Sequence, residues 1–249
     1  MTGVQTCALP IFAIEKKAPN PMMPLRVVTE RNRGGSYLGS MFVGAGMFSM
    51  FLFLGLYLQV ILGYSPLKSG VAFLPFTGGI IAFAGIASQL LPKIGPKPLI
   101  IPGLVLASIG MVLLARITPM TAYATHVLPS LIIISSGMAL VFIPLSTTSL
   151  HNVGTHDAGV ASALINTSQQ VGGSLGTALL NTISATAAAS YAKSHISLGA
   201  KLQPFAMTHG FTVAFLVGSA LLLSSAVVLF GFLNIGKDAV VESEGAVLH

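Results

Sequence analysis

Ser162, Asn166, Gln169, Gln170 and Thr177 follow one another at three- or four-residue steps, with Gly173 in the same series. On a helix that spacing puts them on one face, while Leu164, Val171 and Leu175 fall mainly on others. Amides and hydroxyls donate and accept hydrogen bonds, so this face can bind a neighbouring helix or line a wet passage. Asn and Gln are costly against lipid, so the face should point at protein or at a cavity. Gly172 and Gly176 form a small-xxx-small pair that lets another helix approach closely. Helix glue and a polar lining are both open readings of this stretch.

Other residues with possible chemistry are fewer. Ser135, Ser136 and Phe142 lie in one apolar run, with Pro144 and Ser146-Thr147-Thr148 behind them. Pro144 removes a backbone hydrogen bond and should kink a helix there. Polar groups beside a kink can line a pathway or satisfy freed carbonyls. Met47, Phe51 and Tyr57 belong to a flexible Met/aromatic series that could accept apolar compounds of varied shape, or simply pack in a core. Asp157, His151 and His156 are titratable, but they lie at the edge of apolar runs, where capping and interfacial solvation account for them. They match no strong metal-site pattern. There is no GxSxG, Walker-type loop, HExxH or Cys pair, which argues against an enzyme, a metal centre or a bound cofactor.

The elements that must position these residues follow from composition. Hydrophobic residues make up 53% of the 249 and charged residues only 7%, against about 25% charged in an ordinary globular domain. The mean hydropathy is +0.86. So few charges could not cover a soluble body of this size, and disordered chains are polar rather than apolar. An integral membrane protein remains. The net charge of +6 lies in the gaps between apolar runs. That is membrane-flanking charge rather than the patch or stripe of a nucleic-acid binder.

No Asp, Glu, Lys or Arg occurs in residues 34–67, 69–92, 98–115, 117–156, 158–192 or 202–236. Each gap can hold the roughly 20 apolar residues that cross about 30 Å of hydrocarbon. The chain therefore predicts an all-α integral membrane protein with six transmembrane helices, near 37–62, 66–91, 98–116, 127–150, 158–187 and 211–234. Continuous apolarity without alternation favours helices over a barrel. Ser65-Pro66 supplies an N-cap and a Pro at the first helical position for the second span. Asp157 is placed to cap the fifth. Gly95-Pro96-Lys97-Pro98 is a tight break, and 188–209 reads as an exposed loop.

Orientation follows from counting basic residues on alternate sides. Lys16, Lys17, Arg26, Arg31, Arg33, Lys93, Lys97 and Lys237 fall on one side. Lys68, Arg116, Lys193 and Lys201 fall on the other. The excess predicts a multi-pass protein of the cell membrane with both ends cytoplasmic. None of the titratable side chains lies mid-span. Intramembrane ionisable residues usually mark proton relays, so proton exchange would have to use groups outside these six spans.

Residues 1–11, MTGVQTCALPI, resemble the in-frame translation of a common sequencing-library adapter, with a GTG codon read as Met. They are too short of basic residues and too briefly apolar for a signal peptide. The expectation is an assembly artefact that includes the sole Cys, Cys7, with the coding region continuing upstream of Phe12.

Three stretches from Phe12 onward carry a family resemblance. The first is Glu15-Lys16-Lys17-Ala18-Pro19-Asn20-Pro21, leading through Pro24-Leu25 to Arg31-Asn32-Arg33. The second is Tyr57-Leu58-Gln59, then Leu62-Gly63-Tyr64-Ser65-Pro66-Leu67-Lys68-Ser69-Gly70 and Phe73-Leu74-Pro75. The third is Asp157-Ala158-Gly159-Val160-Ala161-Ser162 with Asn166-Thr167-Ser168-Gln169-Gln170-Val171-Gly172-Gly173-Ser174-Leu175-Gly176. Together they resemble the C-terminal half of a major facilitator superfamily transporter of the fourteen-span drug:proton antiporter family. The resemblance implies that the spans form one six-helix C-terminal bundle (residues 37–235). Residues 12–36 would be a cytoplasmic linker and 236–249 a cytoplasmic tail.

It further implies multidrug efflux by alternating access, exchanging protons for small amphipathic substrates held against a missing N-terminal bundle. Met47, Phe51, Tyr57, Ser135, Ser136, Phe142, Asn166 and Gln170 become the candidate substrate pathway. Gly172, Gly173, Gly176 and Pro144 become the packing or gating positions. Lys93, Gly95 and Lys97 match a family loop motif, in which Pro92 stands where an acid is usual. The partners implied are the lipid bilayer, the substrate and the missing bundle, with no nucleic acid. Two other readings stay open: a complete six-helix membrane subunit such as a channel or assembly partner, and a same-fold exporter of a metabolite or siderophore.

Overall fold

The computed structural model describes residues 30–150, 153–154 and 157–234. The adapter-like residues, the linker basics Lys16, Lys17 and Arg26, the pair His151 and His156, and the tail with Lys237 lie outside the described residues.

Helix α1 (Arg31–Leu56) starts at Glu30. The Glu30 carboxylate accepts from the backbone N–H of Asn32 at 3.1 Å and of Arg33 at 2.9 Å, satisfying two orphan donors of the first turn. Burial alone would raise the pKa of this carboxyl. The hydrogen bonds from Arg33 and Asn32, and the Arg33 charge, outweigh burial and hold it below the ordinary glutamate range. The helix continues into a π turn, Tyr57–Ile61, and reverses at Gly63 in the left-handed region (φ 66°).

Ser65 then caps a short helix, α2 (Pro66–Ala72), accepting from Lys68 N–H at 3.3 Å, with Pro66 at its start. The span expected as one helix over 66–91 breaks at Phe73, and α3 (Leu74–Ile94) begins there. The cause is Pro75, which has no N–H to continue the ladder. Gly95 (φ 82°) ends α3. Helix α4 (Lys97–Leu114) follows, then a π turn at Tyr123–Val127 that runs into α5 (Leu128–Leu150).

Helix α6 runs from Ala158 to Ser194. A 3-10 turn (Ile196–Lys201) joins it to α7 (Leu202–Phe232). Much of the loop expected at 188–209 is therefore helical. The Ala-rich stretch before Ser194 contains no Gly or Pro to stop α6, and Ala is the best helix former. Asp157 takes the position before α6, but its buried side chain makes no capping hydrogen bond to the first turn.

Among the described residues, five segments are long and apolar enough to cross a membrane: Arg31–Ile61, Pro66–Ile94, Lys97–Leu114, Tyr123–Leu150 and Ile196–Phe232. Helix α6 is the exception. Its 37 residues would reach ~55 Å, yet its many Ser, Thr, Asn and Gln side chains keep it less apolar. Its packing still aligns it with the others. Met41 and Ala45 of α1 face Gly172 and Gly176 of α6 in step, so the two helices run parallel.

Helix α1 is the centre of the bundle, packed on α6, α7 and α5, while α4 lies between α5 and α7. Phe53 of α1 meets Phe211 and Phe215 of α7 at 5.8 and 6.4 Å between ring centroids. Ser108 and Ser219 join α4 to α7 at 2.6 Å, and Ser225 of α7 donates to the Gly39 carbonyl of α1 at 3.0 Å. Arg31 and Asn32 of α1 reach the last turn of α7 and the residues after it: Arg31 donates to the Gly231 carbonyl, and Asn32 accepts from Asn234 N–H, both at 2.7 Å. Helix α3 is the outlier. It docks chiefly on α5 and buries only Phe76, Ala87 and Leu91.

Candidate functional site

The helices close around the back of the bundle and leave one side open. On that side α1 and α6 border a groove of about 880 Å³. Its α1 wall is apolar, made by Phe48, Leu52 and Leu56. Its α6 wall carries Gln170, Ser174, Thr177 and Asn181. The floor exists because α6 is small where it meets α1. A Cβ on Gly173 would stand 2.7 Å from the Phe48 ring. A Cβ on Gly172 would collide with the Met41 backbone, and one on Gly44 of α1 with the Gln169 carbonyl. The contact is therefore backbone against backbone.

The candidate residues divide between this groove and the interior. Gln170 lines the groove, and Asn166 is exposed one turn away on the same α6 face, its amide donating to the Ser162 carbonyl at 2.9 Å. Phe51 is exposed at the α1 edge and contacts the rings of Phe73 and Phe76 at 5.4 and 5.2 Å. Met47 and Tyr57 are buried in the core. The Tyr57 hydroxyl donates to the Thr118 carbonyl at 2.9 Å. Ser135 and Ser136 are buried in α5, and each donates to its own helix, to Ile132 and Ile133 carbonyls at 2.9 and 2.8 Å. Phe142 is half-buried.

Pro144 is buried within an α5 that runs on past it. Thr147 and Thr148 donate to the Ile143 and Pro144 carbonyls at 3.1 and 2.7 Å, which spends their hydroxyl protons on their own helix. Lys93 is exposed in the last turn of α3, Gly95 forms the break, and the Lys97 ammonium sits 4.4 Å over the Phe230 ring. Phe48, Leu52, Leu56, Ser174 and Asn181 are groove residues that the sequence reading did not single out. The signal was present: Phe48, Leu52 and Leu56 share the helical stripe next to Phe51, and Ser174 and Asn181 extend the Gln170 face.

The groove is uncharged. No described ionisable side chain lines it, and the two described acids, Glu30 and Asp157, stand at the starts of α1 and α6. Among the described residues no three of His, Cys, Asp and Glu come together. This arrangement can receive an amphipathic solute against an apolar wall and hydrogen-bond it from the other. Its polar wall consists of amides and hydroxyls, which donate and accept hydrogen bonds.

Residues 10–177 match the sequence model of the Major Facilitator Superfamily. The chain is 41% identical over 236 residues to the puromycin resistance protein pur8 of Streptomyces alboniger, covering 94% of this chain and 47% of that protein. The chain belongs to the major facilitator superfamily. Within it, the chain is similar to the cephamycin export protein CmcT of Amycolatopsis lactamdurans, at 31% identity over 74% of this chain and 38% of that one. It is also similar to the multidrug resistance protein B homolog of Mycobacterium tuberculosis, at 26% identity over 91% and 47%. This facilitator chain thus spans about half the length, or less, of the curated relatives it matches.

Proposed function

We propose that the chain is one six-helix bundle of an efflux transporter that exchanges protons for amphipathic compounds by alternating access. The observation that carries this reading is the groove: an apolar wall faces a polar one across an uncharged space, on the open side of a facilitator bundle. The names of relatives, which include a puromycin resistance protein and a multidrug resistance protein homolog, support drug-like substrates. The name of the cephamycin export relative supports a second reading, export of a self-made metabolite by the same route.

In this reading Gln170 and Asn166 contact the solute, Phe51 forms its apolar edge, and Gly172, Gly173 and Gly176 hold the gating face of α6. Met47, Tyr57, Ser135, Ser136 and Phe142 shape the wall behind. Proton exchange belongs to carboxylates in a second bundle, because this one holds none in mid-span. The basic-residue excess supports cytoplasmic termini.

The chain alone is therefore inactive. Reconstituted in vesicles with a proton gradient, it should move ethidium no faster than protein-free vesicles. Joined to the other half that its relatives carry, it should restore gradient-dependent movement. Robust proton-coupled ethidium movement by the 249-residue chain alone would overturn the reading.

A further inference from the structure

A second, smaller cavity of about 270 Å³ lies at the other end of the bundle from Glu30, on the α4–α7 side and away from the groove. Arg116 and Thr118, just past α4, form one wall. Tyr191 of α6 and Thr208, His209 and Thr212 of α7 form the other. The rings are stacked in order: His195 lies 4.1 Å from Tyr191, and Tyr191 lies 4.8 Å from His209. The stack sets the Tyr191 and His209 rings side by side along one wall.

The donors in this cavity sort themselves. Thr208 and Thr212 give their protons to the Pro204 and His209 carbonyls, both at 2.8 Å. Thr118 and Thr121 hydrogen-bond each other at 2.9 Å. The Arg116 guanidinium, the His209 ring and the Tyr191 hydroxyl make no hydrogen bond or ion pair among the described residues. Arg116 also has no acid to meet. The segments at this end (57–73, 115–127 and 188–209) contain no Asp or Glu, yet carry Lys68, Arg116, Lys193 and Lys201.

Below the cavity the surface turns apolar on both helices. Val112 and Ile109 continue the Arg116 stripe down α4, and Leu216 continues the Thr212 stripe down α7; all three are exposed. Arg116 follows α4 closely, so it stands where the hydrocarbon layer ends and phosphates begin.

We infer that this cavity is a binding site for an anionic phospholipid. Its phosphate would be held by Arg116 with His209 and Tyr191, and its acyl chain would lie along Ile109, Val112 and Leu216. A planar guanidinium suits a phosphate oxygen pair. An anion also neutralises an end of the bundle that has no acid of its own.

Native mass spectrometry of the 249-residue chain, released from micelles containing phosphatidylglycerol or phosphatidylcholine with matched acyl chains, tests the site. The chain should retain phosphatidylglycerol in preference to phosphatidylcholine. Arg116→Ala should lower that retention about fivefold, the loss expected for one basic side chain at a lipid phosphate. Arg116→Lys should keep part of it, and His209→Gln, which leaves only the Tyr191–His195 pair stacked, should weaken it. Lys68→Ala, a cation at the same end but outside the cavity, should leave it unchanged. Full retention by Arg116→Ala, or an equal loss in Lys68→Ala, would overturn the site. Displacement of the lipid by millimolar inorganic phosphate would overturn the lipid assignment in favour of free phosphate.

Discussion

Tyr57 lies wholly inside the bundle, and its hydroxyl ties α1 to the loop after α4 through the Thr118 carbonyl. Removing one partner of such a bond costs about 1 kcal/mol, provided the carbonyl finds water. Tyr57→Phe should therefore lower the thermal midpoint of the detergent-solubilised chain by a small, measurable amount. An unchanged midpoint would show that the bond contributes nothing. The residue type alone could not assign this role, because a Tyr in an apolar run suits a pathway as well as a core. What decides it is the neighbour across the turn, more than sixty residues away in sequence. Ser135 and Ser136 are similar: their spacing says they can hydrogen-bond, and only the fold shows their protons going to Ile132 and Ile133. The spacing of Asn166 and Gln170 puts them on one helix face, and both are exposed there, Gln170 at the groove; amides avoid lipid, so that face is expected to turn to protein or a cavity.

Elements were legible wherever a local rule acts alone. Charge-free gaps located the long helices, and Ser65-Pro66 marked a start that the capping bond bears out. The break at Phe73 and the continuation of α6 to Ser194 were not read. Pro75 near a helix start looks benign until the ladder is drawn, and an Ala-rich polar stretch looks like a loop when hydropathy is the guide. The α1–α6 contact makes a sharper claim. Any side chain at 172 meets the Met41 backbone, which cannot step aside. Gly172→Leu should destabilise the bundle by about 1–3 kcal/mol, the range for overpacked sites. Gly159→Ala, where a Cβ meets nothing within 4 Å, should leave stability unchanged or slightly raised. Size-exclusion profiles after heating would separate the two. Equal survival of both variants would mean that α1 and α6 part more easily than their contact implies.

At the scale of the molecule, α3 packs chiefly on α5 while α6 packs on α1 and α7, so the bundle is more open on the side between α3 and α6. Helix α3 holds on through little more than α5, and Ile81 on it is 71% exposed, while Val227 on α7 at the back is 73% exposed. The two are equivalent by exposure but not by place. When the chain is joined to the other half that its relatives carry, a spin label at Ile81 should lose contact with membrane-dissolved oxygen. One at Val227 should keep it. Equal accessibility at both sites in the joined protein would place the second half elsewhere. The difference in place between Ile81 and Val227 could not be read from the sequence, because exposed apolar residues on α3 and α7 look identical there.

The backbone-on-backbone contact between α1 and α6 has a mechanical consequence. Two helices separated by flexible side chains can slip past one another as rotamers adjust. Two that touch through Gly44, Gly172 and Gly176 have no such bearing between them. They should tilt as a single beam, carrying the apolar and polar walls of the groove together. The gauge of the groove is thus set by the join, and under the proposed function a solute would be accommodated by rotation of Phe48 and Gln170 rather than by the walls spreading apart.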